Sequence, residues 1–564
     1  MGIRRALGQP VRYAVLLSGA VPILAFPTAN LEFLGWIGLV PGLALMQAAP
    51  TRREAAVRGW WFGTGYLLAA MYWLTPNLGP AVLLVAIVLG FLWTAVGLAV
   101  WAFTRPPVTL RRAAAALTVV PSAWLVTEWI RSWQGIGGPW AVLGASQWQH
   151  PAFLALAAVG GVWLVTFALV AANTGILLAI TAKTSSARAA GVAGVLIAVL
   201  AGPVIFAATG PPSVSRHVTI ALVQPGLQGK KNPPGPRLAA SERLTAANAH
   251  RADLYVWGES SVGFYLADRP AYVTALERLS TTAGAQILLN QDALNAAGAT
   301  SKQAVLMSST GVRGTYIKTR LVPFGEYIPF RSALGWLDKI SKAASANIVA
   351  GHGAHVLDAT LPGGRRLTIG VLICFESAFP DMSRVDTDHG AQLILYQTSD
   401  STFQASWAPA QHAALGAVRA AETGRPVAQA ALTGDSAAFD ARGRQLAFGD
   451  SSYRGVLFVR LALPSVSSRT LYDRLGDYVA WIATGIAVLA AALGLVRLRR
   501  RRQTPGNGTA AGPPVDVGLD SSRITGSHAG AERSSHATAP GPPATGTGPG
   551  TGAGGPETAA GPTT

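Results

Sequence analysis

The chain is poor in cysteine and poor in charge. Cys374 is its single cysteine among 564 residues, which excludes an intramolecular disulfide and any cysteine-cluster metal site. Charged residues make up only 13% of the chain. The scarcer sign is negative: 27 Asp and Glu stand against 45 Lys and Arg, a formal net charge of +18. What fills the space is apolar. Half the residues are hydrophobic and the mean hydropathy is +0.34, too apolar for an ordinary soluble protein and suited to membrane insertion. A basic balance can signal nucleic acid, but that needs a basic face on a soluble domain. Here many cations flank apolar segments, so no nucleic-acid partner is expected. The nine histidines show no ligand spacing, so the sequence calls for no metal and no cofactor. His412 reads as structural.

Eight apolar spans are expected, near 13–27, 31–49, 59–77, 80–104, 113–130, 153–182, 190–208 and 478–496. A helix needs about 20 apolar residues to cross the hydrocarbon core. Cations sit at alternate connections: Arg4 and Arg5; Arg52, Arg53 and Arg58; Arg105, Arg111 and Arg112; Lys183 and Arg188; and Arg497 with Arg499 to Arg502. The opposite connections, 28–30, 76–79 and 132–150, are poor in them. By the positive-inside rule both termini are cytoplasmic and the large segment 213–470 lies outside the cytoplasm, in a multi-pass protein of the cell membrane. A cleaved signal peptide is the alternative for the first span, but Pro22 and Pro27 stand where small residues would be needed. The expected organisation is a membrane domain over 1–212 with about seven helices, an extracytoplasmic domain over 213–470, an eighth helix with a basic flank over 471–502, and a cytoplasmic tail over 503–564. The tail is rich in Gly, Pro, Thr, Ala and Ser and is expected to be disordered, because it can bury little apolar surface.

Segment 213–470 has another texture. Short apolar runs bounded by turn residues recur at Val218–Val223, Leu254–Trp257, Ala285–Leu289, Ala304–Met307, Leu367–Ile373, Leu393–Tyr396, Val427–Ala431 and Val456–Leu461. Helix-like stretches such as Arg269–Ala283 and Ala408–Thr423 lie between them, with turn signals at Ser309–Gly311 and Ala441–Gly443. This alternation predicts an α/β sandwich, and about 250 residues suits one domain.

Cys374 closes the run Leu367–Ile373, and residues at strand ends are where α/β proteins build sites. A free cysteine can equally be a buried, inert thiol. An exported thiol without a partner is open to oxidation, however, and a thiol of ordinary pKa about 8.5 needs a base or a cation to react at neutral pH. Two polar clusters offer them. Glu259 follows the run Leu254–Trp257. Lys318 ends a short strand, and Glu326 follows it in Val322-Pro323-Phe324-Gly325-Glu326-Tyr327.

The order Glu259, Lys318, Cys374 resembles the Glu–Lys–Cys triad of the nitrilase, or carbon–nitrogen hydrolase, superfamily. Over about residues 10–500 the chain resembles the bacterial apolipoprotein N-acyltransferases. The motifs that carry the likeness are Val322–Tyr327, Ile373-Cys374-Phe375-Glu376, and, in the membrane part, Gly138-Pro139-Trp140 and Gly144-Ala145-Ser146-Gln147. The resemblance implies a nitrilase-like α-β-β-α sandwich between the seventh and eighth spans. It implies Cys374 as nucleophile, Glu259 as general base and Lys318 as stabiliser of developing negative charge. Glu326 and Glu376 would support the site, and the Phe375 N–H would be an oxyanion donor. The implied partners are a phospholipid acyl donor, diacylglyceryl-modified apolipoproteins and the bilayer. Three positions depart from the family pattern: Gly258 for a common Pro, Phe375 for a common Tyr, and Thr402 for a common Trp. A membrane-tethered amidase and a non-catalytic scaffold or transporter are the competing readings. Few ionisable residues lie inside the spans apart from Glu128 and Arg131, which disfavours transport.

Overall fold

A computed structural model describes residues 8–229, 232–294, 299–328 and 348–503. The expected disordered tail and the cations Arg4 and Arg5 lie outside the described residues. In the N-terminal part the helices are α1 (Gly8–Ala20), α2 (Val40–Gln47), α3 (Arg52–Met71), α4 (Ala81–Thr104), α5 (Leu110–Arg131), α6 (Pro151–Thr181) and α7 (Ser185–Thr209). Among the described residues, α4, α5, α6, α7 and the stretch Tyr478–Arg497 near the C-terminal end are long and apolar enough to cross a membrane. The other three expected spans fall on helices that miss that standard. α1 has 13 residues and α2 has eight, and at 1.5 Å per residue these are shorter than the hydrocarbon core of about 30 Å. α3 has 20 residues but opens on Arg52, Arg53 and Glu54 and carries Arg58. Glu54 pairs with Arg12 at 2.8 Å and with Arg58 at 3.4 Å, so the first charged ends of α1 and α3 meet.

The expected sandwich is present. One sheet runs β12-β1-β2-β3-β4-β5 and the other β11-β10-β9-β8-β7-β6. The first comprises β1 (Val214–Gln224), β2 (Leu254–Trp257), β3 (Gln286–Leu294), β4 (Thr300–Ser308), β5 (Gly311–Ile317) and β12 (Gly455–Pro464). The second comprises β6 (Val356–Thr360), β7 (Arg366–Ile373), β8 (Leu393–Thr398), β9 (Val427–Ala431), β10 (Ser436–Phe439) and β11 (Gln445–Gly449). Each sheet has three parallel strands in its middle, β1-β2-β3 and β7-β8-β9, with antiparallel neighbours outside. Alternation along the strands sorts the two faces. Ile220, Leu222, Val256 and Leu288 face the second sheet's Ile369, Val371 and Leu395 in one core. Ala221, Tyr255, Trp257 and Ile287 belong to a separate outer core, on the side of α8 (Pro234–Ala246) and α9 (Pro270–Ala283). Between the sheets Gln397 donates to the carbonyls of Trp257 at 2.9 Å and Leu288 at 3.2 Å and accepts from Asn290 at 3.1 Å.

The second sheet is covered by α10 (Pro380–Asp388) and α11 (Ala408–Thr423), and its core continues into the membrane part through residues such as Trp124, Leu169 and Trp140. α11 is nearly all buried. It meets α6 at a break, where Gly160 and Gly161 (φ +70°) leave helical geometry. The N–H of Val162, freed by the break, donates to Glu422 of α11 at 2.7 Å, so a carboxylate of the sandwich caps the second half of a membrane helix. The last helix is α12 (Tyr478–Gln503).

Burial raises the Glu422 carboxyl to about 7, with Arg419 opposing. A raised carboxyl favours the folded state while protonated, so its contribution is full below the unfolded value of about 4.5 and is lost as pH rises through about 7. Between pH 4.5 and 7 the wild type should therefore lose up to about 3 kcal/mol relative to Glu422→Gln. Thermal unfolding of both proteins across that range measures the difference.

Candidate active site

The three candidate residues stand at strand ends. Glu259 lies two residues past β2, Lys318 immediately follows β5, and Cys374 immediately follows β7. Lys318 is completely buried. Its Nζ donates to Glu326 Oε1 at 2.8 Å and to Glu259 Oε1 at 3.2 Å. Burial opposes the ammonium, but the two carboxylates outweigh it and raise the lysine well above its ordinary pKa. Lys318 is therefore a fixed positive charge and not a base. Its backbone is held on both sides: its N–H donates to the Lys302 carbonyl at 2.9 Å, and its carbonyl accepts from Gly351 at 2.8 Å.

The turn Val322–Tyr327 exists to place Glu326. The N–H of Glu326 donates to Val322 O at 2.8 Å, and Phe324 N–H donates to Tyr327 O at 2.7 Å. Phe324 takes a left-handed φ of +61°. The free oxygen of Glu326 accepts from Val322 N–H at 2.8 Å, which leaves the other oxygen for Lys318.

Cys374 is half-buried and starts a 3-10 turn, Cys374–Ala378, with φ +53°. A non-glycine residue in that region is strained and needs its surroundings to hold it there. Glu376, with no exposure, supplies much of that support. One oxygen accepts from Ile373 N–H at 2.8 Å. The other accepts from Tyr316 OH (2.8 Å), Thr319 N–H (2.7 Å), Thr319 OH (2.9 Å) and Arg320 N–H (3.0 Å). One carboxylate thus ties the turn that begins at Cys374 to the segment that carries Lys318. Burial pushes the Cys374 thiol well above its ordinary value and Glu259 adds to this, while Lys318 pulls the other way. Burial and Glu259 together favour the thiol form of Cys374 over the thiolate.

His412, read from sequence as structural, approaches the backbone of Cys374 itself. Its Nε2 lies 3.1 Å from the Cys374 carbonyl and 2.9 Å from Ser377 Oγ, and its Nδ1 lies 3.1 Å from Asp400 Oδ1. Tyr316, Thr319 and Asp400 were likewise not singled out. Nothing in the spacing of Thr319 and Asp400 along the chain marks them as partners of Glu376 and His412.

The departures have local explanations in two cases. At Gly258 a Cβ would lie 1.9 Å from Leu432 N, so the β9 end leaves no room for a side chain. Phe375 packs edge-on against Phe379 at 5.0 Å and beneath Gly138, where a Cβ would meet the Phe375 ring at 2.5 Å and where φ is +74°. Thr402 is exposed, and the neighbouring Phe403 packs edge-on against Trp73 of the membrane part at 4.8 Å. Of the two membrane motifs, Gly138–Trp140 reaches the site: Trp140 Nε1 donates to Gln411 at 2.9 Å and its ring lies 5.7 Å from His412. Gly144–Gln147 instead packs inside the membrane part, with Gln147 accepting from Trp36 at 2.9 Å.

Comparison with known proteins follows the same division. The domain model described as "Apolipoprotein N-acyltransferase N-terminal domain" matches residues 18–175, and the carbon-nitrogen hydrolase model matches 219–469. The apolipoprotein N-acyltransferase of Geobacter metallireducens is 30% identical over 509 residues, covering 86% of this chain and 95% of the relative. The chain belongs to the apolipoprotein N-acyltransferase family. The Sinorhizobium medicae relative is 31% identical over 84% of this chain and 94% of its own length. The Chlorobaculum tepidum relative is 28% identical over 88% and 98%.

Removing Lys318's charge leaves two carboxylates buried beside one another. Lys318→Met should cost about 3–5 kcal/mol, the usual cost of breaking a buried pair. Lys318→Met combined with Glu326→Gln should unfold at a higher temperature than Lys318→Met alone, because one uncompensated charge is gone. Thermal unfolding of the two variants in detergent tests the order.

Proposed function

We propose that this acyltransferase moves a fatty acyl chain from a phospholipid, through a thioester on Cys374, to the N-terminal amine of a diacylglyceryl-cysteine apolipoprotein. The observation that carries the assignment of roles is the Lys318 ammonium held without exposure between Glu259 and Glu326. That arrangement keeps a positive charge where negative charge develops and fixes a carboxylate able to take a proton.

In the first half-reaction the Cys374 sulfur attacks the ester carbonyl of the donor, and Glu259 takes the thiol proton. The tetrahedral oxyanion is stabilised by Lys318 and the Phe375 N–H. The C–O bond breaks, Glu259 returns the proton to the leaving alkoxide, and a lysophospholipid departs with the thioester left behind. In the second half-reaction the acceptor's neutral α-amine attacks the thioester. Its extra proton passes through Glu259 to the departing sulfur, which restores the thiol and leaves an amide. Splitting one acyl transfer in two lowers each barrier. Glu326 and Glu376 hold Lys318 and the nucleophile's turn.

Both substrates are anchored in the bilayer, so a site fused to membrane helices raises their effective concentration. We place the membrane base at 1–212, the catalytic domain at 213–470 outside the cytoplasm and the last helix at 471–502, with both termini cytoplasmic. The cation alternation along the chain supports that orientation. A cleft of about 370 Å³ lined by Trp129, Trp133, Phe379, Arg320, Asp381 and Asp477 joins the outer ends of α5 and α12 to the segments that hold the site. It suits a polar lipid headgroup.

Incubating the purified full chain with phospholipid micelles should add the mass of one acyl chain, removable by neutral hydroxylamine and absent in Cys374→Ala. Glu259→Gln should slow the addition about 10²–10⁴-fold. Free fatty acid produced without any N-acylated acceptor would identify a hydrolase instead.

A further inference from the structure

Each ring nitrogen of His412 faces one oxygen that can only accept, beside a hydroxyl that can donate or accept. Nδ1 lies 3.1 Å from the Asp400 carboxylate, and Nε2 lies 3.1 Å from the Cys374 carbonyl. A neutral imidazole has one N–H and one lone pair, so it cannot donate to both; the imidazolium can. The ring is 2% exposed, so water cannot easily replace either partner. The two hydroxyls nearby, Thr398 Oγ1 at 3.2 Å and Ser377 Oγ at 2.9 Å, can turn to accept.

The Cys374 carbonyl belongs to the same peptide unit as the Phe375 N–H. In a trans peptide the C=O and the following N–H point in opposite directions. A donor that fixes the carbonyl therefore fixes the N–H on the other side. It also polarises the amide and strengthens that N–H as a donor. The position matters here because Cys374 sits at φ +53°, a conformation that its neighbours must enforce.

We propose that His412, protonated and held by Asp400, is a positioning residue that aims and strengthens the Phe375 N–H as oxyanion donor by hydrogen-bonding the Cys374 carbonyl. This rests on the acyl-transfer reading only for the identity of the natural donor. The oxyanion argument applies to any ester that acylates Cys374. His412 lies on α11 one turn after its start, beside Gln411, which holds Trp140 of the membrane loop. The same helix thus braces the nucleophile's peptide and grips the membrane base.

The charged groups around the ring come from several elements. Asp400 follows β8, Glu259 follows β2, and Cys374 begins the turn after β7; Trp140 of the membrane loop presents its ring at 5.7 Å. Burial opposes the charged ring, but Asp400 outweighs it, so His412 titrates above the ordinary imidazole value. The charged form is present below that pH and lost above it.

The test uses the full chain in detergent and compares two reactions of the same thiol. Acylation by p-nitrophenyl butyrate passes through an oxyanion. Alkylation by iodoacetamide does not. His412→Ala should slow acylation at least about tenfold, in line with the loss of oxyanion stabilisation, while alkylation changes less than about threefold. His412→Gln, whose amide can donate to the same carbonyl, should recover part of the acylation rate. The wild-type to His412→Gln ratio of acylation rates should fall toward one as pH rises through the His412 titration. Loss of both reactions together would make His412 a purely structural residue and overturn the proposal. An acylation rate unchanged in His412→Ala would overturn it as well. A wild type acylated by the ester but not by phospholipid would remove the lipid donor reading and leave the His412 comparison valid. A wild type acylated by neither would overturn both.

Discussion

One buried cation organises this molecule. Lys318 has no exposure, and a buried ammonium is tolerable only with its charge matched and its donors used. Glu259 and Glu326 provide both. Meeting that demand fixes three separate pieces of chain: the end of β2, the end of β5 and the Val322–Tyr327 turn. Glu376 then extends the lock to β7 by accepting from Ile373 on one side and from Tyr316, Thr319 and Arg320 on the other. Cys374 is therefore not placed by its own strand alone. It is placed by a carboxylate that also holds the lysine's neighbours.

The membrane base is joined to this lock through α11. Gln411 receives Trp140, His412 meets the Cys374 carbonyl, and Glu422 caps the second half of broken α6. Phe375 fills the space beneath Gly138 from the other side. The sandwich and the apolar helices therefore share a core through the face that carries the thiol.

Much of this was legible in the sequence because it is local. The runs Leu367–Ile373 and Leu393–Tyr396 read as strands from their apolar content, and they are β7 and β8. Glu259, Lys318 and Cys374 read as strand-end residues, and they are. What was hidden is long-range pairing. The partners Val162 and Glu422 are 260 residues apart, and Trp140 and Gln411 are 271 apart; no periodicity announces either. His412 looked inert because its chemistry depends on Asp400 and a backbone carbonyl that only the fold brings near. The short β6, β10 and β11 escaped notice because strands of four or five residues carry little pattern. Of the eight expected spans, five fall on described helices long and apolar enough to cross a membrane, while α2 is short and α3 is long but charged.

The central claim is that Cys374 carries an acyl chain from one membrane-held substrate to another. The most direct measurement is a chase. The full-length protein is loaded from a phospholipid with a labelled acyl chain, freed of unreacted lipid, and mixed with a diacylglyceryl-cysteine peptide that has a free N-terminus. The account predicts that label leaves Cys374 and appears as an amide on the peptide, mole for mole, with no fresh phospholipid present. Label that stays on the protein, or that reaches the peptide only when phospholipid is added back, would contradict it.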